Sequence, residues 1–151
     1  MHWPIRPAGA ADRAAVEAMV AAAYAPWVAR LGQRPGPLRD DYASRIAQGA
    51  VHVAERDGAI TGVLVTLPRP GALLLDNVAV APAAQGRGLG RALIAFAEGL
   101  ARARGAARVT LYTHERMAEN LTLYPRLGYV ETGRGVQDGY PRVFFEKRLA
   151  D

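Results

Sequence analysis

The stretch with the clearest chemical potential is Asp76-Asn-Val-Ala-Val-Ala-Pro-Ala-Ala-Gln85-Gly-Arg-Gly-Leu-Gly-Arg91-Ala-Leu93. An apolar run leads into three glycines, Gly86, Gly88 and Gly90, and these open a segment with helical periodicity. Glycine leaves backbone N–H groups unscreened and reaches the positive φ values that a concave turn can need. The helix start adds amides with no intrahelical acceptor and a partial positive charge. Together they form a cradle suited to a phosphate or pyrophosphate. Arg87 and Arg91 add charge-assisted contacts. The alternative is a glycine-rich turn that holds no ligand. Spacing removes two phosphate binders. A P-loop needs a lysine and then a hydroxyl residue after its last glycine, and neither is in place. A dinucleotide fold needs Gly-x-Gly-x-x-Gly directly after a strand, whereas the spacing here is Gly-x-Gly-x-Gly.

Composition removes further chemistries. The chain has no cysteine, which excludes a disulfide framework, a cysteine nucleophile and a thiolate zinc site. His2, His52 and His114 lack metal-ligand spacing, so no metal is expected. Ser44 is the only serine and has no Gly-x-Ser-x-Gly around it, which argues against a serine hydrolase. Lys and Arg number 19 against 14 acids, a net charge of +5, and Lys147 is the only lysine. The arginines are scattered as on a solvated surface; an anionic partner is the alternative. No recognition helix or stacking-aromatic motif supports nucleic acid as that partner.

These residues need a scaffold, and 151 residues, half of them hydrophobic, suit a single domain over 1–151. No run approaches the roughly 20 apolar residues of a membrane span. The opening MHWPIRPAGAADR lacks a signal-peptide core. A soluble cytoplasmic protein is therefore expected.

Ile5-Arg6 begins a short strand. Asp12 caps a helix carrying Val16, Met19, Val20, Ala23 and Val28, with Pro26 as its end or kink. Leu31–Pro37 is a loop, and a second helix runs from Leu38 to Ala47, ended by Gly49. The period then changes to two. Val51–Arg56 and Ile60–Leu67 form a hairpin across Asp57-Gly58. After a turn at Pro68, Pro70 and Gly71, Ala72–Val80 reads as a buried central strand. Gly88–Arg104 is a helix with Leu89, Ala92, Leu93, Phe96, Ala97 and Leu100 on one face. Arg108–Thr113 is a strand and Met117–Arg126 a helix. Tyr129–Thr132 and Arg142–Lys147 are strands joined by a polar loop, Gly133–Pro141. Hairpins followed by crossovers predict an α/β chain with a mixed sheet.

Gln85-x-x-Gly88-x-Gly90, preceded by Val78-Ala79-Val80-x-Pro82, resembles the acetyl-CoA-binding motif of the GNAT superfamily of N-acetyltransferases. Asn120-Leu-Thr-Leu-Tyr124-Pro-Arg-Leu-Gly128-Tyr129 resembles its second signature, and the order of elements matches from Ile5 to Leu149. The resemblance implies a mixed, mostly antiparallel sheet flanked by four helices. Strands Ala72–Val80 and Arg108–Thr113 would be a splayed parallel pair with pantetheine between them.

It also implies roles. Backbone groups of Val78, Ala79 and Val80 would pair with pantetheine. Gln85, Gly86, Arg87, Gly88, Leu89, Gly90 and Arg91 would hold the pyrophosphate of acetyl-CoA (CoA). Tyr124 sits where the family places the general acid for the departing thiolate. Asn120, one helical turn earlier, would contact CoA or order a water, with a local cap as the alternative; the family's usual asparagine position is Met117 here. Asp76, the only acid in its strand, would be the general base, with a structural carboxylate or a water-based mechanism as alternatives; Glu115 and Asp41 are weaker candidates. Tyr24, Trp27 and Tyr42 flank the region that often covers the acceptor. Asp40 and Asp41 are read as a solvated first turn, with attraction of a cationic amine as the alternative, and His52 and His114 as structural rather than catalytic.

The expected function is acetyl-CoA-dependent transfer to a primary amine or peptide N-terminus, by direct attack in a ternary complex. A non-catalytic acyl-CoA-binding module is the alternative. Homodimerisation is common in the family, and the Gly133–Pro141 segment would contribute to it.

Overall fold

The computed structural model describes residues 3–32 and 36–150. In chain order its strands and helices are β1 (Ile5–Pro7), α1 (Arg13–Leu31), α2 (Tyr42–Ala47), β2 (Val51–Arg56), β3 (Ala59–Arg69), β4 (Ala72–Val80), α3 (Leu89–Ala103), β5 (Arg108–His114), α4 (Ala118–Arg126), β6 (Val130–Gln137) and β7 (Tyr140–Arg148). Short 3₁₀ turns lie at Ala10–Asp12, Gly36–Arg39 and Pro82–Ala84. The strands form one sheet in the order β1-β2-β3-β4-β5-β7-β6. Pairs β1–β2, β2–β3, β5–β7 and β6–β7 are antiparallel. Strands β4 and β5 are parallel, as expected, from Ala72 opposite Arg108 to Leu75 opposite Leu111. Both strands run on beyond that register, β4 to Val80 and β5 to His114.

Two compact units divide the chain, Met1–Thr66 with Asn77–Phe96, and Leu67–Asp76 with Ala97–Asp151. In the first, Val16, Val20, Val51, Val53, Val63 and Leu93 are at most 1% exposed. Gly62 lets α3 approach β3 closely, since a Cβ there would lie 3.0 Å from Leu93 Cδ1. In the second, Leu73, Val109, Leu111, Val143 and Phe145 form the core. Buried Glu98 is held by the Tyr129 hydroxyl at 2.9 Å and Lys147 Nζ at 3.1 Å. That charge is tolerated because it is paired and hydrogen-bonded.

Several boundaries differ from expectation. Helix α1 runs through Pro26 and ends at Gly32, φ +69°. Burial of Val16, Met19, Val20, Ala23 and Leu31 along one helix outweighs the lost hydrogen bond. Asp12 precedes α1 but does not cap it. Its carboxylate accepts from Gly9 N at 2.7 Å and Arg6 Nη1 at 2.8 Å. In the Leu31–Pro37 segment, Leu31 is helical and residues 33–35 lie outside the described residues. Helix α2 starts at Tyr42 rather than Leu38, because Asp41 caps it by accepting from Ser44 N at 3.2 Å. Asp40 pairs with Arg45 at 3.2 Å. Pro68 belongs to β3, so the turn is confined to Pro70 and Gly71.

The expected Gly133–Pro141 loop is instead most of a hairpin. Strands β6 and β7 meet at Asp138-Gly139, φ +54° and +80°, the same left-handed pair seen at Asp57-Gly58. The buried face of α3 also includes Ile94, Glu98 and Ala101. Strand β4 is not uniformly buried. Leu73, Leu75, Asn77 and Ala79 are covered, whereas Leu74, Asp76, Val78 and Val80 are partly open.

Candidate active site

In the first unit, β4 ends at Val80 and a 3₁₀ turn carries the chain to Gln85. Ala81 N donates to Thr61 O at 2.8 Å and Ala84 N to Ala81 O at 2.8 Å, which fixes the turn. Gly86 and Gly88 have φ of +78° and +85°, and a Cβ on either would meet nothing within 4 Å. The turn therefore needs glycine for its backbone shape, and the space beside it is open. Gly90 differs: its Cβ would lie 3.8 Å from Val80 Cγ2. The first helical bond runs from Ala92 N to Gly88 O at 3.0 Å. The amides of Leu89, Gly90 and Arg91 thus have no intrahelical acceptor. Arg87 and Arg91 are exposed at its edge. The glycine spacing thus yields a left-handed turn that opens directly onto the first amides of α3.

Neighbouring residues are constrained. Ala79 and Leu89 are 3% and 1% exposed, so only their backbones can reach a ligand. Gln85 Nε2 donates to Val80 O at 3.3 Å. Tyr24 donates to Asn77 Oδ1 at 2.7 Å, and Asn77 Nδ2 donates to Tyr42 Oη at 3.2 Å. Tyr42 donates to Pro37 O at 2.7 Å and is 3% exposed, so it supports the fold around it. Trp27 is half-buried with the Arg30 guanidinium 4.3 Å from its ring centre. The role of Asn77 was missed in the sequence. Its position between Asp76 and Val78 on the covered face of β4 was the available signal.

In the second unit, half-buried Asp76 accepts a hydrogen bond from the Tyr112 hydroxyl at 2.8 Å. Burial, and then the charge of Asp76, raises the Tyr112 phenol above its usual range. The Arg142 guanidinium lies 3.9 Å over the Tyr112 ring. Neither Tyr112 nor Arg142 was singled out from sequence. The parallel register places Tyr112 one residue beyond Leu111, as Asp76 is one beyond Leu75, but that register is tertiary information.

Tyr124 is 7% exposed, edge-on to Tyr129 and tilted against Phe145. Burial pushes its phenol up to about 12. Asn120 Nδ2 donates to Thr113 Oγ1 at 3.0 Å, which ties α4 to β5. His114 is the last residue of β5 and is buried; its Nδ1 accepts from Arg116 N at 3.1 Å. Burial, then Arg116, lowers its affinity for a proton. His52 is also buried and packs on Phe96. Among the described residues no group of three or more His, Asp or Glu could hold a metal ion, and no helix is long and apolar enough to cross a membrane.

Comparison with known proteins places this architecture. N-alpha-acetyltransferase 80 of Mus musculus is 44% identical over 84 residues, 56% of this chain and 24% of that protein. The chain spans about a quarter of the length of the curated relatives it matches. PaiA N-acetyltransferase of Thermoplasma acidophilum, solved with coenzyme A, superposes with a TM-score of 0.81 at 16% identity, covering 99% of this chain and 100% of that one. The yncA protein of Salmonella typhimurium, solved with its cofactor acetyl-CoA, gives 0.73 at 25% identity over 100% of this chain and 96% of that one. The mixed sheet with its parallel pair and four helices is thus the GNAT fold. A profile described as "Acetyltransferase (GNAT) domain" matches residues 47–131, more than half of the chain, and the protein belongs to that family.

Proposed function

We propose that this chain is an acetyl-CoA-dependent N-acetyltransferase, with residues 1–151 acting as one domain, that acetylates a primary amine in a ternary complex. The observation that carries this reading is the open glycine turn before α3, where Gly86 and Gly88 hold positive φ beside unoccupied space. Its amides suit a pyrophosphate. The names of the relatives, including an N-alpha-acetyltransferase, support acetyl transfer to an α-amine.

Acetyl-CoA supplies an activated acyl group and a thiolate leaving group. The amides of Gly86 to Arg91 hold its pyrophosphate, with Arg87 and Arg91 neutralising charge. Backbone groups of Val78, Ala79 and Val80 pair with its amides, with Val78 N–H set against charge developing on the thioester oxygen. The Val80 carbonyl accepts one hydrogen bond from Gln85 Nε2 at 3.3 Å, and its second lone pair is open to an amide of pantetheine. Asp76 takes one proton from the acceptor ammonium, and the freed amine forms the C–N bond as the C–S bond breaks. The nitrogen's second surplus proton is lost to solvent as the amide forms, with solvent later reprotonating Tyr124. Tyr124, with its phenol near 12, is protonated at neutral pH and gives that proton to the thiolate. Asn120 spends its nitrogen on Thr113, which leaves its carbonyl oxygen for a water or the cofactor. Tyr24 and Trp27 border the acceptor, and Tyr42 acts through the Asn77 network.

A cytoplasmic location and a homodimer belong to the same proposal. The exposed Val130 and Val136 on edge strand β6 support dimerisation. The test is a melting scan with acetyl-CoA followed by thiol release over pooled primary amines. No melting shift at millimolar acetyl-CoA defeats the proposal. A shift without thiol release leaves the non-catalytic binding module.

A further inference from the structure

Four arginines with described side chains are half-buried: Arg6, Arg45, Arg108 and Arg142. The first three each have a carboxylate, at 2.8 Å from Asp12, 3.2 Å from Asp40 and 3.9 Å from Glu146. Arg142 has none among the described residues. Its guanidinium rests 3.9 Å over Tyr112 and 5.5 Å from the centre of Tyr140. A partly desolvated cation without a counter-charge is unfavourable, and stacking recovers only part of that cost. Stacking engages the faces of the guanidinium. One in-plane N–H is engaged by the Tyr112 phenol. The guanidinium has five donors, so others remain, and their fork matches the two oxygens of a carboxylate.

Position adds to this. Arg142 touches Tyr112, and Tyr112 bonds Asp76, the proposed acceptor base. Across the ladder Arg142 pairs with His114, which is held as an acceptor by the Arg116 amide. The charged groups around this strand end are therefore Arg142 and Arg116 against Asp76 and exposed Glu115. From this geometry we propose that Arg142 is a specificity residue for an acceptor that carries a carboxylate close to its amine, such as an amino acid or an acidic N-terminal residue. The ammonium end goes to Asp76 and the carboxylate to the Arg142 fork. This rests on the acetyltransferase reading above and narrows its substrate class.

The experiment measures thiol release from acetyl-CoA by the full chain with paired acceptors at matched free-amine concentration. The pairs are C-terminally amidated dipeptides beginning with Asp or Asn and with Glu or Gln, together with β-alanine and β-alaninamide. Wild type is expected to favour the carboxylate member of at least one pair by about 10-fold or more in kcat/KM, as a charge-assisted bidentate contact implies. Arg142→Gln is expected to abolish that preference by slowing the carboxylate member about 10-fold more than its neutral partner, with the KM for acetyl-CoA unchanged. Arg142→Lys is expected to retain part of it. Equal use of both members by wild type overturns the inference. An equal loss on both members in Arg142→Gln also overturns it, and assigns Arg142 to support of Tyr112 and Asp76. Absence of thiol release across this panel and the pooled primary amines defeats the acetyltransferase reading itself, and this inference with it.

Discussion

Gly88→Ala separates backbone strain from ligand binding. At φ +85° an alanine is held in the left-handed region, which costs about 1–2 kcal/mol. The restricted unfolded chain returns roughly 0.4–1 kcal/mol. No atom within 4 Å opposes the new methyl group, so overpacking adds nothing. The net loss is about 1 kcal/mol, or a fall in Tm of about 2–4 °C for a chain of this size. Binding should suffer more. The methyl group screens the amides at the α3 start, and losing one or two charge-assisted hydrogen bonds weakens acetyl-CoA by roughly 10- to 100-fold. Gly105→Ala is the matched control, since Gly105 has φ +73° and equally open surroundings beyond the other end of α3. Calorimetric titration with acetyl-CoA and thermal melting of both variants give the comparison. Similar drops in Tm with a weakened Kd only for Gly88→Ala support the cradle. Equal affinities in the two variants refute it.

Tyr124→Phe is expected to lower kcat by about 10²-fold in stopped-flow thiol assays while leaving acetyl-CoA affinity nearly intact. Because the acid form acts and its folded value is raised to about 12, tyrosine-dependent activity should persist through pH 10 and fall only as pH rises toward 12. Asn77→Leu removes the partner of two tyrosine hydroxyls and should cost about 2–3 kcal/mol in urea unfolding. The Asp12 carboxyl is lowered to about 2, chiefly by its hydrogen bond from Arg6, so its stabilising contribution is present above about pH 4 and lost as pH falls through 2. Asp12→Asn should flatten the acid limb of a Tm-versus-pH curve over that window.

Local signals recovered much of the fold because they depend on neighbours in sequence. Asp57-Gly58 adopts the left-handed pair its composition suggests, and β4 keeps its expected bounds. The Asp138-Gly139 hairpin carried the same signal, obscured by Gly133 and Gly135, which look like loop residues but sit in an edge strand. Pro26 misled because local propensity opposes what packing of α1 enforces. Tyr42 illustrates the limit for site reading: an aromatic beside a variable region can line a pocket or be buried, and its 3% exposure decides.

By itself the sequence determined the glycine turn and the family, since a turn with positive φ followed by a helix start is largely a local, backbone property. The positive φ of Gly86 and Gly88 is a preference of the residues themselves, while the bond from Ala81 N to Thr61 O anchors the turn to β3. Tertiary structure alone decided which side chains meet. Asp76 and Tyr112 are 36 residues apart, Tyr24 and Asn77 are 53 apart, and strand register brings each pair into hydrogen-bond contact. Arg142 became informative only through what lies beside it, two tyrosine rings and no carboxylate among the described residues. Charge pairing and burial are set by through-space distance, which the order of residues does not contain.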